Sequence, residues 1–436
     1  MPALAGRRSW RNWAGNQSCS PAEIAHPAAE DELVGLVLAA ADAGRRVKVV
    51  GSGHSFTDIA CTDGVLVDLD GYGRVLSTDP AAGTVTVQAG ITLARLNDEL
   101  AARGLALENL GDVAYQTVAG ATSTGTHGTG LAYRGLAAGI TAMRVVLADG
   151  SVLDCSADAE PAVWSAARVG LGALGIVSTL TLRCDPAFTV HAVEAPMRME
   201  EVMADLDGFF ASADHAELYW VPHTRWALTK RNTRTAEAAV PRARWAEWRD
   251  DVLLSNVAFG AMCRLGRLRP SWIPRLAKLV PSTGTIDYSD RSDRVFTSPR
   301  LVRFCEMEYA VPREALGEAL DRVRALVDRL GIQLSFPVEV RVTAADDIPL
   351  STASGRDSGY IAVHTYRGTP HDQYFAGVEA IMDDYGGRPH WGKLHYQTAR
   401  ALAPRYPAWD DFAKVRDRLD PDRRFANPYL DRVLGP

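Results

Sequence analysis

Cysteine and lysine are scarce in this 436-residue sequence, and long apolar runs are absent. The six cysteines lie far apart and form no CxxC pair, so zinc-finger and thioredoxin-like sites have no support. So few cysteines do not make a disulfide framework, and we expect reduced thiols and a cytoplasmic location. No stretch approaches the ~18 apolar residues of a membrane span. The N-terminus also lacks the apolar core of a secretory signal, so neither feature is expected.

A basic excess is also missing, because 47 Lys and Arg face 53 Asp and Glu and the net charge is −6. Proteins dedicated to nucleic acids usually carry a basic excess, so nucleic acid is not an expected partner. The same overall charge balance argues against a polybasic membrane anchor. A lysine inside a motif is informative here, because the chain has only five: Lys48, Lys230, Lys278, Lys393 and Lys414.

The pattern of elements predicts an α+β protein. Residues 1–186 read as short strands and helices, with a hairpin signal at Asp149-Gly150. Later segments predict strands at 217–231, 338–342 and 360–366 and helices at 314–330, 372–385 and 409–419. Residues 240–282 are rich in Trp, Arg and Pro and predict helical, irregular structure.

Two glycine-rich segments predict a phosphate-bearing cofactor. The first is Gly51-Ser52-Gly53-His54-Ser55, directly after a predicted strand, where backbone N–H groups can surround an anion. The second spans 120–130 and carries no bulky aliphatic side chain, which suits a closely approaching ligand better than a core.

A third segment, 170–175, matches GxGxxG literally. The Rossmann fingerprint needs a strand before the glycines and a helix after them. Here a predicted helix precedes them and a predicted strand follows. The segment therefore predicts a tight helix-to-strand turn and not a dinucleotide site.

Polar residues gather toward the C-terminus. Glu339 and Arg341 lie two apart in a predicted strand and so share a face, which also describes an ordinary surface ion pair. His364 lies in a second strand, and His390 and Lys393 follow a Gly-Gly turn. A lysine there can stabilise a developing anion. No His, Asp or Glu cluster has convincing metal spacing, so no metal is expected.

These segments resemble the sugar-1,4-lactone oxidases (gulonolactone and arabinonolactone oxidases) of the vanillyl-alcohol-oxidase flavoprotein superfamily. The resemblance spans nearly the whole chain but is weak over 235–300. It is carried by KVVGSGHSFTDIACTDG (48–64), NLGDVAYQTVAGATSTGTHGTG (109–130), PVEVRVTAADDIPLS (337–351), GGRPHWGKLH (386–395) and LDPDRRFANPYL (419–430).

The resemblance implies a two-domain α+β architecture. Residues 1–186 would form an FAD-binding domain of the PCMH type, which is not a Rossmann fold. Residues 187–388 would form an antiparallel-sheet cap domain that binds substrate, and residues 389–436 would return to the flavin site.

The resemblance also implies FAD as cofactor, bonded covalently through His54. The residues that match positions holding FAD are Gly51, Ser52, Gly53, His54, Ser55, Gly111, Asp112, Thr117, Gly120, Ala121, Thr122, Ser123, Thr124, Gly125, Ile176, Val177 and His390.

The implied reaction oxidises a secondary alcohol next to the carbonyl of an aldono-1,4-lactone. Hydride passes to the flavin, and the electrons pass to O2 or another acceptor. The implied catalytic residues are Glu339, Arg341, Lys393 and His364. The protein supplies position and charge while the cofactor supplies the redox chemistry.

Three positions bear on specificity within this resemblance. Family members commonly carry Ser where this chain has Asp112, and alditol oxidases carry Thr where it has Tyr366. A small residue at the position of Gly111 implies a path for O2 to the flavin.

Other functions remain open on the sequence. An alditol or oligosaccharide oxidase would use the same fold, as would an oxidase of a non-sugar alcohol in secondary metabolism. A flavin-binding subunit without its own substrate is disfavoured by Glu339, Arg341 and Lys393 together.

Overall fold

A computed structural model describes residues 9–279 and 283–436. Two sheets form the first part of the chain. A parallel sheet has the strand order Glu23–Ala25, Val65–Asp68, Val47–Val50. An antiparallel sheet has the order Val152–Ser156, Ile140–Val146, Ile176–Arg183, Thr84–Gln88, Val75–Asp79. The helices that accompany them are Glu30–Asp42, Leu93–Ala101, Val118–Ser123 and Pro161–Ala167.

Both turn predictions in this part are confirmed. Gly150 has φ +79° and joins the two antiparallel strands on either side of it. In the GxGxxG segment, Gly172 and Gly175 also have positive φ, and the segment leads from a helix into the strand Ile176–Arg183. Positive φ favours glycine, so these residues serve the turn itself.

An eight-stranded antiparallel sheet dominates the second part. Its order is Ile286–Arg291, Thr189–Arg198, Trp226–Thr235, His215–Trp220, Val338–Thr343, Ser358–Tyr366, Phe304–Pro312, Arg388–Pro389. Helices Met199–Ala204, Leu206–Ala211, Leu316–Leu330 and Asp372–Asp383 contribute apolar side chains to the core built on this sheet. The predicted helices at 314–330 and 372–385 are confirmed, and the first ends at Gly331, with φ +61°.

Four strands of this sheet were not predicted: Thr189–Arg198, Ile286–Arg291, Arg388–Pro389 and Phe304–Pro312. The last is the most instructive, because most of it is buried on both faces and two glutamates interrupt its apolar run. A strand buried on both faces loses the alternation that normally reveals one.

The segment between 240 and 279 is helical, as predicted. It comprises Arg244–Glu247, a π-helix at Trp248–Ala258, then Phe259–Leu268, Pro270–Trp272 and Ile273–Ala277. The last residues of the predicted segment, 280–282, lie outside the described residues. Within the described ranges, no helix is both long and apolar enough to cross a membrane.

The end of the chain returns to the first sheet. Helix Trp409–Leu419 has the predicted bounds, and Pro428–Leu434 follows it. The ammonium of Lys48 donates to the carbonyls of Phe425 and Gly172. The core of the first part therefore includes residues of this tail, such as Phe425 and Tyr429.

Candidate active site

A cavity of about 1060 Å³ lies between loops of the first part and the eight-stranded sheet. It brings together many of the predicted site residues: His54, Ser55, Gly111, Asp112, Thr124, Glu339, Arg341, His364, His390 and Lys393. The others lie outside its lining: Gly51, Ser52, Gly53, Thr117, Gly120, Ala121, Thr122, Ser123, Gly125, Ile176 and Val177.

The first two glycine-rich segments lie against each other. Thr117 caps the helix Val118–Ser123 by accepting from the N–H of Gly120, and a Cβ at Gly51 would overlap its Oγ1. In the described part of the chain, the backbone N–H groups of residues 52–55 donate no hydrogen bond. Free N–H groups along a turn suit phosphate oxygens, so these residues fit a phosphate-bearing cofactor such as FAD.

Ile176 and Val177 begin a strand, and Ile176 pairs with Val146 inside the core of the first part. Their contact with the adenosine part of FAD stays a prediction.

His54 lies at the edge of the cavity, with its ring stacked on Trp13 at a centroid distance of 5.1 Å. Burial, with a smaller contribution from the charge of Lys393, lowers the pKa of His54 to about 4. The imidazole is therefore neutral at physiological pH, which is the form that can act as a nucleophile.

Glu339 and Arg341 form a buried ion pair, so the surface-pair interpretation is wrong. Arg341 Nε also donates to Glu217 at 2.7 Å, and the hydroxyl of Tyr219 lies within 3.0 Å of both carboxylates. Burial opposes the charge of Arg341, but Glu339 and Glu217 outweigh it and raise the pKa of Arg341 well above its usual range. Burial also raises the pKa of Glu339. The guanidinium of Arg341 therefore stays positively charged in the cavity.

Lys393 is held by Glu306, a residue that the sequence did not predict. Its ammonium pairs with Glu306, whose other oxygen lies 3.4 Å from His364 Nε2. Burial opposes ionisation of Glu306, but Lys393 and His364 outweigh it and lower the pKa of Glu306 to about 2. A fixed carboxylate therefore positions Lys393 and His364, two of the four predicted catalytic side chains.

Glu308, two residues further along the same strand, pairs with His127 at 3.3 Å and lies near His390. Burial lowers the pKa of His390 to about 3, so this ring is neutral. Glu306 and Glu308 share one face of the strand Phe304–Pro312. A pair of glutamates two apart inside an apolar run was the signal that could have revealed them.

Two buried groups bring possible metal-binding atoms within 4.8 Å of one another, which the sequence spacing did not predict. One is His127, Glu308 and His390, and the other is Glu306, Glu339 and His364. In both, cations or histidines of the chain already pair with the carboxylates, so charge balance does not call for a metal ion.

Asp112 connects the loop after Leu110 to the segment that contains Ser298 and Arg300. It accepts from the hydroxyl of Ser298 at 2.6 Å and pairs with Arg300. Burial opposes ionisation, but Arg300, Lys230 and Arg341 outweigh it and lower the pKa of Asp112 to about 2. A serine at this position, which the resemblance implies, would lack this charge, and Arg300 lies in the segment of weak resemblance.

We expect Asp112→Asn to lower the free energy of unfolding by about 1–3 kcal/mol, because it leaves Arg300 without a counter-charge. Since the folded pKa is below the ordinary value, this stability is present above about pH 4 and is lost as the pH falls toward 2. Urea unfolding at pH 7 and pH 3 measures it, with the exposed Asp384→Asn as control. Equal effects of the two variants at pH 7 would contradict the account.

Two protein-family models match this chain. Residues 180–433 match the family model described as D-arabinono-1,4-lactone oxidase, and residues 21–156 match an FAD binding domain. L-gulono-1,4-lactone dehydrogenase of Mycobacterium tuberculosis is 49% identical over 98% of this chain and 99% of that protein.

The chain belongs to the aldonolactone oxidase and dehydrogenase family.

Membership in this family covers both parts of the chain. L-gulonolactone oxidase of Bos taurus is 34% identical over 98% of each chain. Among solved structures, a solvent-stable cholesterol oxidase superposes with a TM-score of 0.84 at 20% identity, covering 98% of this chain and 97% of that one. This match confirms the predicted α+β fold, and the match of residues 21–156 to an FAD binding domain supports FAD as the cofactor.

Proposed function

We propose that the protein oxidises an aldono-1,4-lactone at the secondary alcohol next to the ring carbonyl. The relatives named for gulono- and arabinono-lactones support this substrate class. The observation that carries the proposal is the pair of fixed cations, Arg341 and Lys393, at one cavity beside the FAD-binding loops. Bound FAD would accept the hydride at N5.

The residues of the cavity have distinct roles in this proposal. The alcohol gives its C–H hydride to bound FAD and its O–H proton to water, and Arg341 stabilises the alkoxide that develops on the oxygen. Glu339 orients Arg341 or the substrate hydroxyl. Lys393, held by Glu306, stabilises negative charge that the cofactor gains.

A covalent bond between His54 and the 8α carbon of FAD belongs to the same proposal. A neutral, half-buried imidazole next to free backbone N–H groups supports it. The residues that would hold the cofactor are 51–55 and 120–125, with Gly111, Asp112, Thr117, Ile176, Val177 and His390.

The domain boundaries at residues 186 and 388 stay predictions, and so does the cytoplasmic location. All six cysteines are free, which agrees with a reducing compartment.

An alditol oxidase is the second candidate, because it would use the same fold and cations. Tyr366, which differs from the threonine of alditol oxidases, is outside the cavity lining and lies under Arg267. A panel of aldonolactones and open-chain polyols, compared by kcat/KM, separates the two functions. A preference for polyols would overturn the lactone proposal.

The variant Gly111→Ala tests whether the reduced enzyme passes its electrons to O2. A Cβ there would lie 3.1 Å from the carbonyl oxygen of His127 and from Thr126 Cγ2. An alanine therefore narrows the space between Gly111 and these two residues. We expect Gly111→Ala to slow reoxidation of the reduced enzyme by O2 while reduction by lactone stays largely intact. Stopped-flow measurement of both half-reactions checks this.

Asp112 should not oppose the O2 reaction strongly, since Arg300 offsets its charge. A wild-type reoxidation rate with O2 far below turnover, alongside fast turnover with a dye, would make the enzyme a dehydrogenase.

A further inference from the structure

One side of the cavity is lined largely by apolar side chains, and two of its rings, Phe304 and Phe336, also pack on His364. A continuous row of aromatic rings leads away from His54. Trp13 lies 5.4 Å from Phe304, Phe304 lies 5.4 Å from Phe336, and Phe336 lies 4.8 Å from Phe259, measured between ring centroids. The row joins the predicted flavin attachment point to the helical segment 244–277.

Beyond Phe259 the helical segment continues this apolar lining with Leu254, Ala258, Ala261, Met262, Leu265, Ile273, Leu276 and Ala277. Leu254 is 50% exposed and Leu265 is 45% exposed, so apolar side chains also reach the mouth of this side. Arg242, Asp250 and Asp251 also line the cavity, but these pair with one another. The aliphatic residues of the lining offer no partner to the hydroxyl groups of an aldonolactone. The apolar side therefore suits a different ligand from the polar side around Arg341.

The outer surface of the same helical segment indicates that this ligand enters from a lipid surface. Residues 241–279 contain eight Arg or Lys against three Asp or Glu, in a chain whose net charge is −6. The segment also exposes large apolar side chains, namely Trp245, Trp248, Leu253, Val257, Leu268 and Trp272. Exposed Trp and Leu among basic residues are typical of surfaces that lie on anionic lipid.

We propose that the apolar side of the cavity binds a lipophilic quinone, which acts as an electron acceptor. The proposal rests on the proposed function, because that reaction supplies the electrons. The quinone takes two electrons and one proton from the reduced cofactor and a second proton from water. It becomes the quinol, and the cofactor is left oxidised.

The shape and chemistry of this side fit a quinone with an alkyl tail. The rings of this row already contact one another, so a quinone ring would pack on their cavity-facing surfaces, at the centroid distances of about 4.5–7 Å that aromatic pairs prefer. The alkyl tail would lie along the aliphatic residues toward the mouth at Leu254 and Leu265. The mouth would face the lipid in which such a quinone dissolves.

Binding of decylubiquinone to the oxidised holoenzyme, measured by isothermal titration calorimetry without lactone, tests the proposal. We expect Ala258→Trp, which adds an indole to the lining of the apolar side, to raise the Kd at least tenfold. Ala243→Trp places the same side chain on the same segment outside the cavity lining and should leave the Kd unchanged. Turnover with lactone and decylubiquinone should fall only in Ala258→Trp, while turnover with ferricyanide should be equal in both variants.

Three results would overturn the proposal: no binding of decylubiquinone to the wild type, equal Kd values for the two variants, or equally tight binding of decanol. The last would show recognition of an alkyl chain and not of the quinone ring. Anaerobic bleaching of the flavin by lactone is measured in the same preparations. If bleaching fails, the proposed function fails, whereas the calorimetry without lactone judges the quinone site by itself.

Discussion

Arg341→Ala and Lys393→Ala are each expected to lower kcat by roughly 10²–10³-fold, which is about 2.7–4 kcal/mol of transition-state stabilisation. Both side chains are fixed cations at the cavity, and each is already oriented by a buried carboxylate. Preorganised charge of this kind needs no rearrangement when negative charge develops. FAD content should fall far less than kcat in both variants.

Matched surface variants control this prediction. Lys414 and Arg322 carry the same charges in exposed ion pairs, so Lys414→Ala and Arg322→Ala should change kcat little. Lys393→Arg and Arg341→Lys should also be damaging, because the two cations differ in shape and hydration. Normal turnover of both alanine variants with full flavin would remove these residues from the mechanism.

His54→Ala is expected to abolish covalent attachment of FAD completely. Some flavin should still bind, because the loop of residues 52–55 and the helix Val118–Ser123 keep their backbone groups. Losing the covalent bond should lower the redox potential of the flavin and slow its reduction by substrate. Trp13, which stacks on His54, would lose its ring partner without losing Phe56 and Phe304.

Acid precipitation followed by absorbance of pellet and supernatant measures the attachment. Yellow colour should stay with the wild-type pellet and appear wholly in the supernatant for His54→Ala. His26→Ala, which removes an exposed histidine, is the control and should behave as the wild type. Release of all colour from the wild type would show that no covalent bond exists.

Much of the fold followed from local patterns in the sequence. The helix Trp409–Leu419 and the strand Val47–Val50 had the predicted bounds, because helical periodicity and a short apolar run between turn residues are local signals. The order of helix, glycines and strand around 170–175 was also sufficient to reject a Rossmann site.

The chemistry around the cavity was only partly predictable. The sequence indicated Glu339, Arg341 and Lys393, but not Glu306 or Glu217, which hold them. Those partners come from distant strands, and their register is set by tertiary pairing. Whether Glu339 and Arg341 form a surface or a buried pair was undecidable locally, because burial depends on what packs against the strand.

The helical character of residues 240–279 was predicted, but the part that the segment 235–300 plays in the site was not. This segment carries little of the family resemblance, and its contribution to the site arises from Arg300 meeting Asp112 and from Phe259 meeting Phe336. Neither contact can be predicted from the spacing of residues along the chain.

Anaerobic mixing of the oxidised enzyme with L-gulono-1,4-lactone, D-arabinono-1,4-lactone and a set of polyols, followed by flavin absorbance, tests the central claim most directly. We expect rapid bleaching by one or more of the lactones and slow or no bleaching by the polyols. Flavin that stays oxidised with every lactone, in a preparation with full FAD content, would contradict the claim that this protein is an aldonolactone oxidoreductase.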